Sequence, residues 1–281
     1  MSVRIVTDST ADIPSSLAEE LNITVVPLTV FFGDEAYLDG IELDNAKFYQ
    51  KLQSSKALPR TSQPSPAAFQ EAYMRLIEDG ADGILSIHLS SKLSGTYQSA
   101  HSASDSLPEK TKKIPIEVVD SLSISAGMSY AIINAASEAR QGLSLEEIKA
   151  HAIDRLARTR ILAVLDTLEY VKRGGRIGSA RALLGNMLSV KPIISLRDGE
   201  VVPIEQPRTR SRAFARVAQL VGEQGKLEQI SIAESNEEVG LQLAGALKTV
   251  SQGEIIRYKL GGVLGAHTGP GTVAVIVTSQ K

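Results

Sequence analysis

The chain has 281 residues, of which 43% are hydrophobic and 22% are charged, and its formal net charge is −2. These values are typical of a globular protein with one large or two smaller domains, and they argue against nucleic acid or an acidic membrane as the main partner. Cysteine is absent, which excludes disulfides and thiolate metal sites, and the chain starts without an apolar signal core. We therefore expect a cytoplasmic protein.

Apolar runs and helix-start signals alternate through the first half of the chain. The predicted strands cover 4–7, 24–32, 83–88 and 116–119. The predicted helices cover 15–21, 44–52, 66–79, 94–104, 125–140 and 144–158, the last with a capping box at Ser144 and Glu147. Such alternation indicates parallel strands joined by helical crossovers. We predict that residues 1–158 form an α/β domain with a Rossmann-like, mostly parallel sheet.

The second half has a looser pattern, with strands that follow one another directly. The predicted strands cover 161–164, 191–196, 200–205, 229–233, 254–259 and 272–278. The predicted helices cover 168–172, 179–187, 211–221 and 237–249. Asp198-Gly199 between two apolar runs predicts a hairpin, so residues 159–281 are predicted to be an α/β domain with a mixed or antiparallel sheet. The glycine-rich segment 261–271 is predicted to be a loop that carries His267.

Polar residues follow several predicted strands, where ligands collect in open α/β sheets. These polar clusters are 8–10, 60–64, 90–96 and 120–121. The segment Ser94-Gly95-Thr96 leads from a strand into a helix, so the free N–H groups and the dipole of the helix start suit an anion. Ser94 could equally serve only as the cap of its own helix.

Catalytic interpretations find weaker support. Ser94, His267 and Asp8 supply the residue types of a serine-hydrolase triad, but Ser94 lacks the Gly-x-Ser-x-Gly elbow. The histidines lack the spacing of metal ligands, and neither a Walker A motif nor Gly-x-Gly-x-x-Gly follows a strand. The residues favour an anion site without catalytic machinery, metal or cofactor.

A basic cluster lies near the start of the second half. Its members are Arg155, Arg158, Arg160, Lys172, Arg173, Arg176 and Arg181. Each of these charges alone is typical of a solvated helix surface, but together they indicate docking to an acidic partner surface or a phosphate. The segment from Arg173 to Arg176 places two guanidinium groups around a Gly-Gly bend.

Six motifs, which together span almost the whole chain, resemble those of the DegV family. They are Val6–Asp12 (VTDSTAD), Thr61–Pro66 (TSQPSP), Leu89–Ala100 (LSSKLSGTYQSA), Val119–Ser121 (VDS), Tyr170–Ile177 (YVKRGGRI) and His267–Gly271 (HTGPG). Characterised members of this family are fatty-acid-binding subunits of bacterial fatty acid kinase. The resemblance implies two α/β domains with a tunnel between them that holds one long acyl chain.

The resemblance also implies roles for individual residues. The hydroxyls of Thr61 and Ser94 and the imidazole of His267 would bind the fatty acid carboxylate, with the Gly95 N–H nearby. Arg173 would engage the catalytic subunit of the kinase, and we expect its basic neighbour Arg176 to take part in this docking. The chain would then be a non-catalytic subunit whose ligand is a fatty acid and which contacts membranes transiently during lipid exchange. ATP and metal would belong to the kinase.

Two other functions remain open from the residues. One is a hydrolase that uses Ser94 and His267 on a lipid ester, and the other is a carrier of a different amphipathic ligand without a kinase. For the tunnel wall, the Ala-rich helix from Ser125 and the pairs Ile84-Leu85 and Ile193-Ile194 are candidates, although each single one is more typical of ordinary core.

Overall fold

The structure is a computed structural model that describes residues 2–55, 57–111, 113–186, 190–250 and 253–281. The strands are β1 (Val3–Asp8), β2 (Ile23–Val26), β3 (Thr29–Phe32), β4 (Glu35–Leu38), β5 (Arg60–Ser62), β6 (Gly83–His88), β7 (Ile116–Asp120), β8 (Thr159–Val164), β9 (Ile193–Arg197), β10 (Glu200–Glu205), β11 (Leu227–Glu234), β12 (Ile256–Lys259) and β13 (Val273–Ser279). The α-helices are α1 (Ser15–Glu20), α2 (Asn45–Ser54), α3 (Pro66–Glu78), α4 (Thr96–Asp105), α5 (Ala126–Arg140), α6 (Leu145–Ala157), α7 (Glu169–Arg173), α8 (Arg210–Gly222), α9 (Glu237–Leu247) and α10 (Gly262–Thr268). Short 3₁₀ helices cover Ser9–Ala11, Glu109–Thr111 and Gly178–Asn186.

The first sheet, here named the parallel sheet, runs in the order β2-β1-β6-β7, and every neighbouring pair is parallel. Ile5 of β1 lies opposite Ile23 on one side and Leu85 on the other. All residues of β6 are buried, as expected of a central strand that helices cover on both faces. The Rossmann-like, parallel sheet predicted for the first half is therefore confirmed.

The prediction of one strand over 24–32 is wrong, because the chain divides at Pro27 into β2 and β3, which belong to different sheets. Proline has no N–H for a sheet ladder, and the Leu28 N–H next to it donates to Ser9 Oγ at 3.1 Å. β3 pairs antiparallel with β4 and β5. These strands, in the order β4-β3-β5, form what we name the small sheet.

The third sheet, here named the mixed sheet, runs in the order β10-β9-β8-β13-β11-β12. Its neighbours are antiparallel except for β11 and β12, which are parallel. The predicted hairpin is confirmed: Asp198 and Gly199 have φ values of 50° and 81° and join β9 to β10, the geometry that two-residue hairpins favour. Since the strands of the mixed sheet all follow residue 158, we propose 1–158 and 159–281 as the two domains.

Helix α5 lies between the two larger sheets. Ala131 and Ala135 belong to the hydrophobic core formed with β1 and α6, and Ala126 belongs to the core formed with Ile161 of β8. Gly127 allows this close approach, because a Cβ there would overlap the side chain of Ile161. Small residues on α5 therefore bring the two halves of the chain together.

The glycine-rich segment near the end of the chain was predicted to be a loop, and this is wrong for its first part. Residues Gly262–Thr268 form α10, and left-handed backbone occurs only after the helix, at Gly269 and Gly271. Glycine disfavours helix, but here it allows close packing, since a Cβ at Gly265 would overlap the ring of Phe48. Tertiary contacts therefore override the local preference.

The remaining helix predictions differ mainly at their ends. The helix expected over 94–104 begins at Thr96, and the one expected over 179–187 is a 3₁₀ helix that ends at Asn186, with Met187 outside the described residues. The capping box at Ser144 and Glu147 is confirmed. Among the helices that the structure describes, none has the length and apolarity needed to span a bilayer.

Candidate functional site

A cavity of about 320 Å³, here named the site cavity, lies where the parallel, small and mixed sheets meet. Its volume falls within the range of roughly 300–1,000 Å³ found for small-molecule sites. The apolar part of its wall includes Leu89, Ile124, Ile161, Ile194, Leu196 and Leu264. Of the aliphatic pairs considered from the sequence, Ile194 lines this cavity, whereas Ile84 and Leu85 lie in the core around the parallel sheet.

Thr61, Ser94 and His267 all line the site cavity, and Ser195 and Thr268 are further polar residues of its wall. Thr61 Oγ1 lies 2.7 Å from Nε2 of His267. Ser62 and Gln63, next to Thr61 in sequence, also line the cavity and are exposed. The polar end of the cavity therefore faces the protein surface, while the apolar wall lies inside.

Two larger hollows are lined in large part by exposed residues, and neither includes Thr61, Ser94 or His267. One, of about 710 Å³, lies between α8 and α9 and is lined by Phe214, Ala246 and Val250 among others. The other, of about 640 Å³, borders Asp12 and Asp39. A binding site for a small amphipathic molecule is defined by its apolar wall and its few placed polar groups rather than by volume alone, which favours the site cavity.

Thr61 and Ser94 are held by backbone pairing. Thr61 lies in β5 opposite Val30 of β3, and the N–H of Ser94 donates to the carbonyl of Ser90 at 3.1 Å. The N-cap residue of α4 is Gly95, not Ser94. Ser94 Oγ lies 2.9 Å from Thr96 Oγ1 and accepts from the Thr96 N–H at 3.4 Å, so the hydroxyl of Ser94 contacts the first donor of the helix although it is not the N-cap residue.

Gly95 directly follows Ser94 in the sequence and does not itself line the site cavity. A Cβ at this position would lie 2.6 Å from Nε2 and Oε1 of Gln63. The absence of a side chain at Gly95 therefore leaves room for Gln63 against α4, where the Gln63 amide donates to Ser99 Oγ at 3.3 Å. Gln63 lines the candidate site; the sequence placed it in the polar cluster 60–64 but did not assign it to the ligand, because an amide in a loop has no distinctive pattern.

His267 occupies the last turn of α10 and is enclosed by the segment after α7. A Cβ at Gly174 would overlap Nδ1 of His267, and this nitrogen is buried without a hydrogen-bond partner among the described residues. Burial, together with the nearby charge of Arg176, lowers the pKa of His267 to about 4. The imidazole is therefore neutral at pH 7. When Nε2 carries the proton and donates to Thr61 Oγ1, the hydroxyl hydrogen of Thr61 is free for a ligand oxygen.

The neutral state of His267 has a consequence for stability on acidification. Because the folded-state pKa is about 4 and the ordinary value is 6.5, the unfolded chain binds a proton between these pH values that the folded chain does not. Stability should therefore fall as the pH drops from 7 to 5, by about 2 kcal/mol from this residue. Urea unfolding of the wild type and of His267→Gln at both pH values measures this contribution.

The comparison between the two proteins is needed because burial raises the pKa of Asp39 to about 6. That shift has the opposite sign, so it stabilises the fold on acidification in an overlapping window. The wild type should lose more stability than His267→Gln between pH 7 and 5. Equal losses in the two proteins would show that His267 titrates normally.

Arg173 and Arg176, which were both predicted from the sequence to dock the partner, have different surroundings in the structure. Arg176 lines the site cavity, and its Nε donates to the carbonyl of Leu93 at 3.0 Å. Arg173 lies on the surface with 61% of its side chain exposed, and its guanidinium pairs with Glu169 one turn earlier in α7. Arg176 is thus a positive charge at the cavity, which the reasoning from the sequence did not assign to the ligand site.

The triad considered for a hydrolase does not come together. Asp8 is fully buried and accepts from His88 rather than His267, with His88 Nδ1 and Asp8 Oδ2 3.0 Å apart. His88 Nε2 in turn lies 2.6 Å from Ser86 Oγ, and His88 and Ser86 are also fully buried. This buried arrangement links β1 to β6 and does not involve Ser94 or His267.

The other polar clusters at strand ends have local roles. Asp120 Oδ1 accepts from the N–H groups of Ser91 and Leu122, and Thr10 donates to Asp8 through its backbone N–H. Within the described part of the chain, no group of three or more His, Asp or Glu side chains is placed to hold a metal ion.

Comparison with known proteins gives consistent matches over the whole chain. The sequence profile of the DegV family, described as "Uncharacterised protein, DegV family", matches residues 2–280. A DegV domain-containing protein of Streptomyces coelicolor is 39% identical over 283 residues, which cover 99% of both chains. Among solved structures, a DegV family protein from Thermus thermophilus described for its fatty acid binding matches with a TM-score of 0.90, 34% identity and 100% coverage of both chains. DegV of Bacillus subtilis, described as a fatty acid binding protein, matches with a TM-score of 0.89, 31% identity and 100% coverage of both chains.

Proposed function

The chain belongs to the DegV family, and we propose that it binds a long-chain fatty acid in the site cavity. The observation that carries this proposal is the shape of the site: an aliphatic wall inside the protein and a Thr61–His267–Ser94 group at the end that faces the surface. The description of the Thermus thermophilus and Bacillus subtilis proteins as fatty acid binders supports the same ligand class.

The acyl chain supplies most of the binding free energy. Burial of a methylene contributes about 0.8 kcal/mol, so ~15 methylenes contribute on the order of 12 kcal/mol before the cost of ordering the ligand. A carboxylate at the polar end needs hydrogen-bond donors, because a buried unpaired charge is costly. Thr61 and Ser94 supply hydroxyl donors, and Arg176 supplies a positive charge beside them.

We further propose that the bound carboxylate is presented to a separate ATP-dependent kinase. A carboxylate oxygen would form the bond to the γ-phosphorus of ATP while ADP leaves, and the acyl phosphate would be carried toward phospholipid synthesis. The exposed Ser62, Gln63 and Arg176 at the polar end support access from the surface. In this scheme the chain holds and orients the substrate, and the kinase supplies the nucleotide site and the metal.

The surface beside this polar end suits a protein partner. Arg173 is exposed two residues after the cavity-lining Val171 and close in sequence to Arg176. An exposed arginine forms bidentate bonds to carboxylates with little rearrangement. We propose that Arg173 docks the kinase, whereas Arg176 mainly serves the ligand.

Native mass spectrometry of the purified protein, followed by extraction and identification of any bound lipid, tests the ligand. A bound fatty acid, or uptake of an added one at a ratio of one per chain, is expected. Protein that is empty and also rejects added fatty acid would disprove the proposal. Labelling of Ser94 by a fluorophosphonate would favour a hydrolase, and a different extracted lipid without kinase turnover would favour another carrier function.

Ser94→Ala tests the polar end of the site. If the Ser94 hydroxyl donates to a buried carboxylate, its loss should weaken fatty acid binding by roughly 1–3 kcal/mol. Displacement of a fluorescent fatty acid measures the change in Kd. Ser91→Ala is the matched control, since Ser91 is exposed in the same turn and does not line the cavity. Unchanged binding in Ser94→Ala would leave the hydroxyl with only its local contact to Thr96.

A further inference from the structure

Two carboxylates, of the half-buried Asp12 and the buried Asp39, hold the start of α10, the helix that carries His267. Asp12 Oδ1 accepts from the N–H of Gly261 at 2.8 Å, and Asp39 Oδ1 accepts from the N–H of Gly262 at 3.1 Å. Asp39 is 4% exposed. The first N–H groups of a helix have no partner within the helix, so these carboxylates satisfy donors that would otherwise be buried unpaired.

The fit between the carboxylates and the helix start is tight. A Cβ at Gly261 would lie 2.6 Å from Asp12 Oδ1, and a Cβ at Gly262 would lie 3.0 Å from Asp39 Oδ1. The glycines therefore do more than permit a turn, since they allow the backbone of α10 to reach the acids. Burial raises the pKa of Asp39 to about 6 and the pKa of Asp12 well above its ordinary value.

The small sheet connects Asp39 to the binding group. Asp39 directly follows β4, Thr61 lies in β5, and both strands pair with β3. Helix α10 lies across this sheet. At its start the N–H of Gly262 donates to Asp39, and at its end the imidazole of His267 contacts Thr61. The small sheet therefore sets the distance between Asp39 and Thr61, the two residues to which α10 is attached.

A helix as short as α10 depends on such attachments. It has seven residues, whereas isolated helices shorter than about 12–15 residues are marginal in water. Its position is therefore set by what it contacts rather than by its own stability. Because α10 is only seven residues long, a displacement at Gly261 and Gly262 would also displace His267 near its end.

We propose that Asp39, with Asp12, is a positioning residue for ligand binding: it sets the register of α10 on the small sheet and thereby holds His267 against Thr61. The role requires a hydrogen-bond acceptor at Asp39 rather than a negative charge. A carbonyl oxygen accepts from Gly262 as a carboxylate does, and an amide avoids the cost of burying an ionised acid.

A double-mutant cycle tests this role. We expect Asp39→Ala to weaken fatty acid binding about tenfold and to have little further effect in a His267→Ala background, because the two changes act through one interaction. Asp39→Asn, which keeps the acceptor, should retain wild-type affinity. The imidazole nitrogen NMR shifts of His267 should change in Asp39→Ala and be restored in Asp39→Asn.

Asp82→Ala is the matched control, since Asp82 accepts a backbone N–H from Ser2 far from the cavity. Equal weakening by Asp39→Ala with and without His267, or unchanged His267 shifts, would overturn the positioning role. The binding measurement rests on the proposed function, whereas the NMR shifts do not. Wild-type protein that fails to bind fatty acid would contradict the proposed function and leave the NMR arm to decide the role of Asp39.

Discussion

Replacement of Ala163 by phenylalanine is expected to weaken fatty acid binding strongly without unfolding the protein. Ala163 lies in β8 and lines the site cavity beside Ile161 and Ile194. A phenyl ring at this position enters empty space rather than a filled core, so the usual cost of overpacking is small. Exclusion of about four methylenes, at ~0.8 kcal/mol each, corresponds to a loss of affinity of about a hundredfold or more.

Isothermal titration or fluorescent displacement gives the affinity, and thermal unfolding of the lipid-free protein checks the fold. Ala246→Phe is the matched control, because Ala246 lines the hollow between α8 and α9 instead of the site cavity. It should bind fatty acid as the wild type does. Normal binding by Ala163→Phe would show that the acyl chain lies elsewhere.

The sequence predicts those parts of the fold that follow from local patterns. β6, with its bounds at Gly83 and His88, is recognisable because a buried parallel strand is a continuous apolar run. The Asp198-Gly199 turn is recognisable because both residues tolerate positive φ. Helices with a capping residue and a 3.6-residue period, such as α3 after Ser65, are likewise determined locally.

The elements that the sequence does not predict depend on contacts between distant residues. The glycines at 261, 262 and 265 indicate a loop by local preference, and they form a helix only because Asp12, Asp39 and Phe48 lie against them. The prediction of one strand over 24–32 missed the division at Pro27, and the assignment of β3 to a separate sheet requires β5, which is about thirty residues away.

The candidate site shows the same limit. Physical reasoning from the residues leads to a helix start at Ser94 that suits an anion, and the resemblance to the DegV family adds Thr61 and His267. The 2.7 Å contact between Thr61 and His267 joins residues 206 positions apart. The place of Arg176 on the cavity wall also comes from folding, since charge alone does not distinguish it from Arg173.

Arg173→Ala and Arg176→Ala are expected to affect different steps. Arg173 pairs only with the exposed Glu169 among the described contacts, and such surface pairs contribute about 0–1 kcal/mol to stability. Its loss should therefore leave the fold and the fatty acid Kd unchanged. If Arg173 docks the kinase, acyl phosphate formation should fall by a factor of about ten or more, since interface arginines often contribute over 1.4 kcal/mol to binding.

Arg176→Ala should instead weaken fatty acid binding itself, because the cavity loses its positive charge and the bond from Arg176 to the carbonyl of Leu93. The Kd for fatty acid and the kinase turnover at saturating fatty acid distinguish the two effects. Arg212 is an exposed arginine on α8, so Arg212→Ala controls for the change in net charge. A raised Kd in Arg173→Ala would contradict its assignment to the partner surface. Normal Kd in Arg176→Ala would place its charge outside the reach of the carboxylate and leave Thr61, Ser94 and His267 to hold the head group by hydrogen bonds alone.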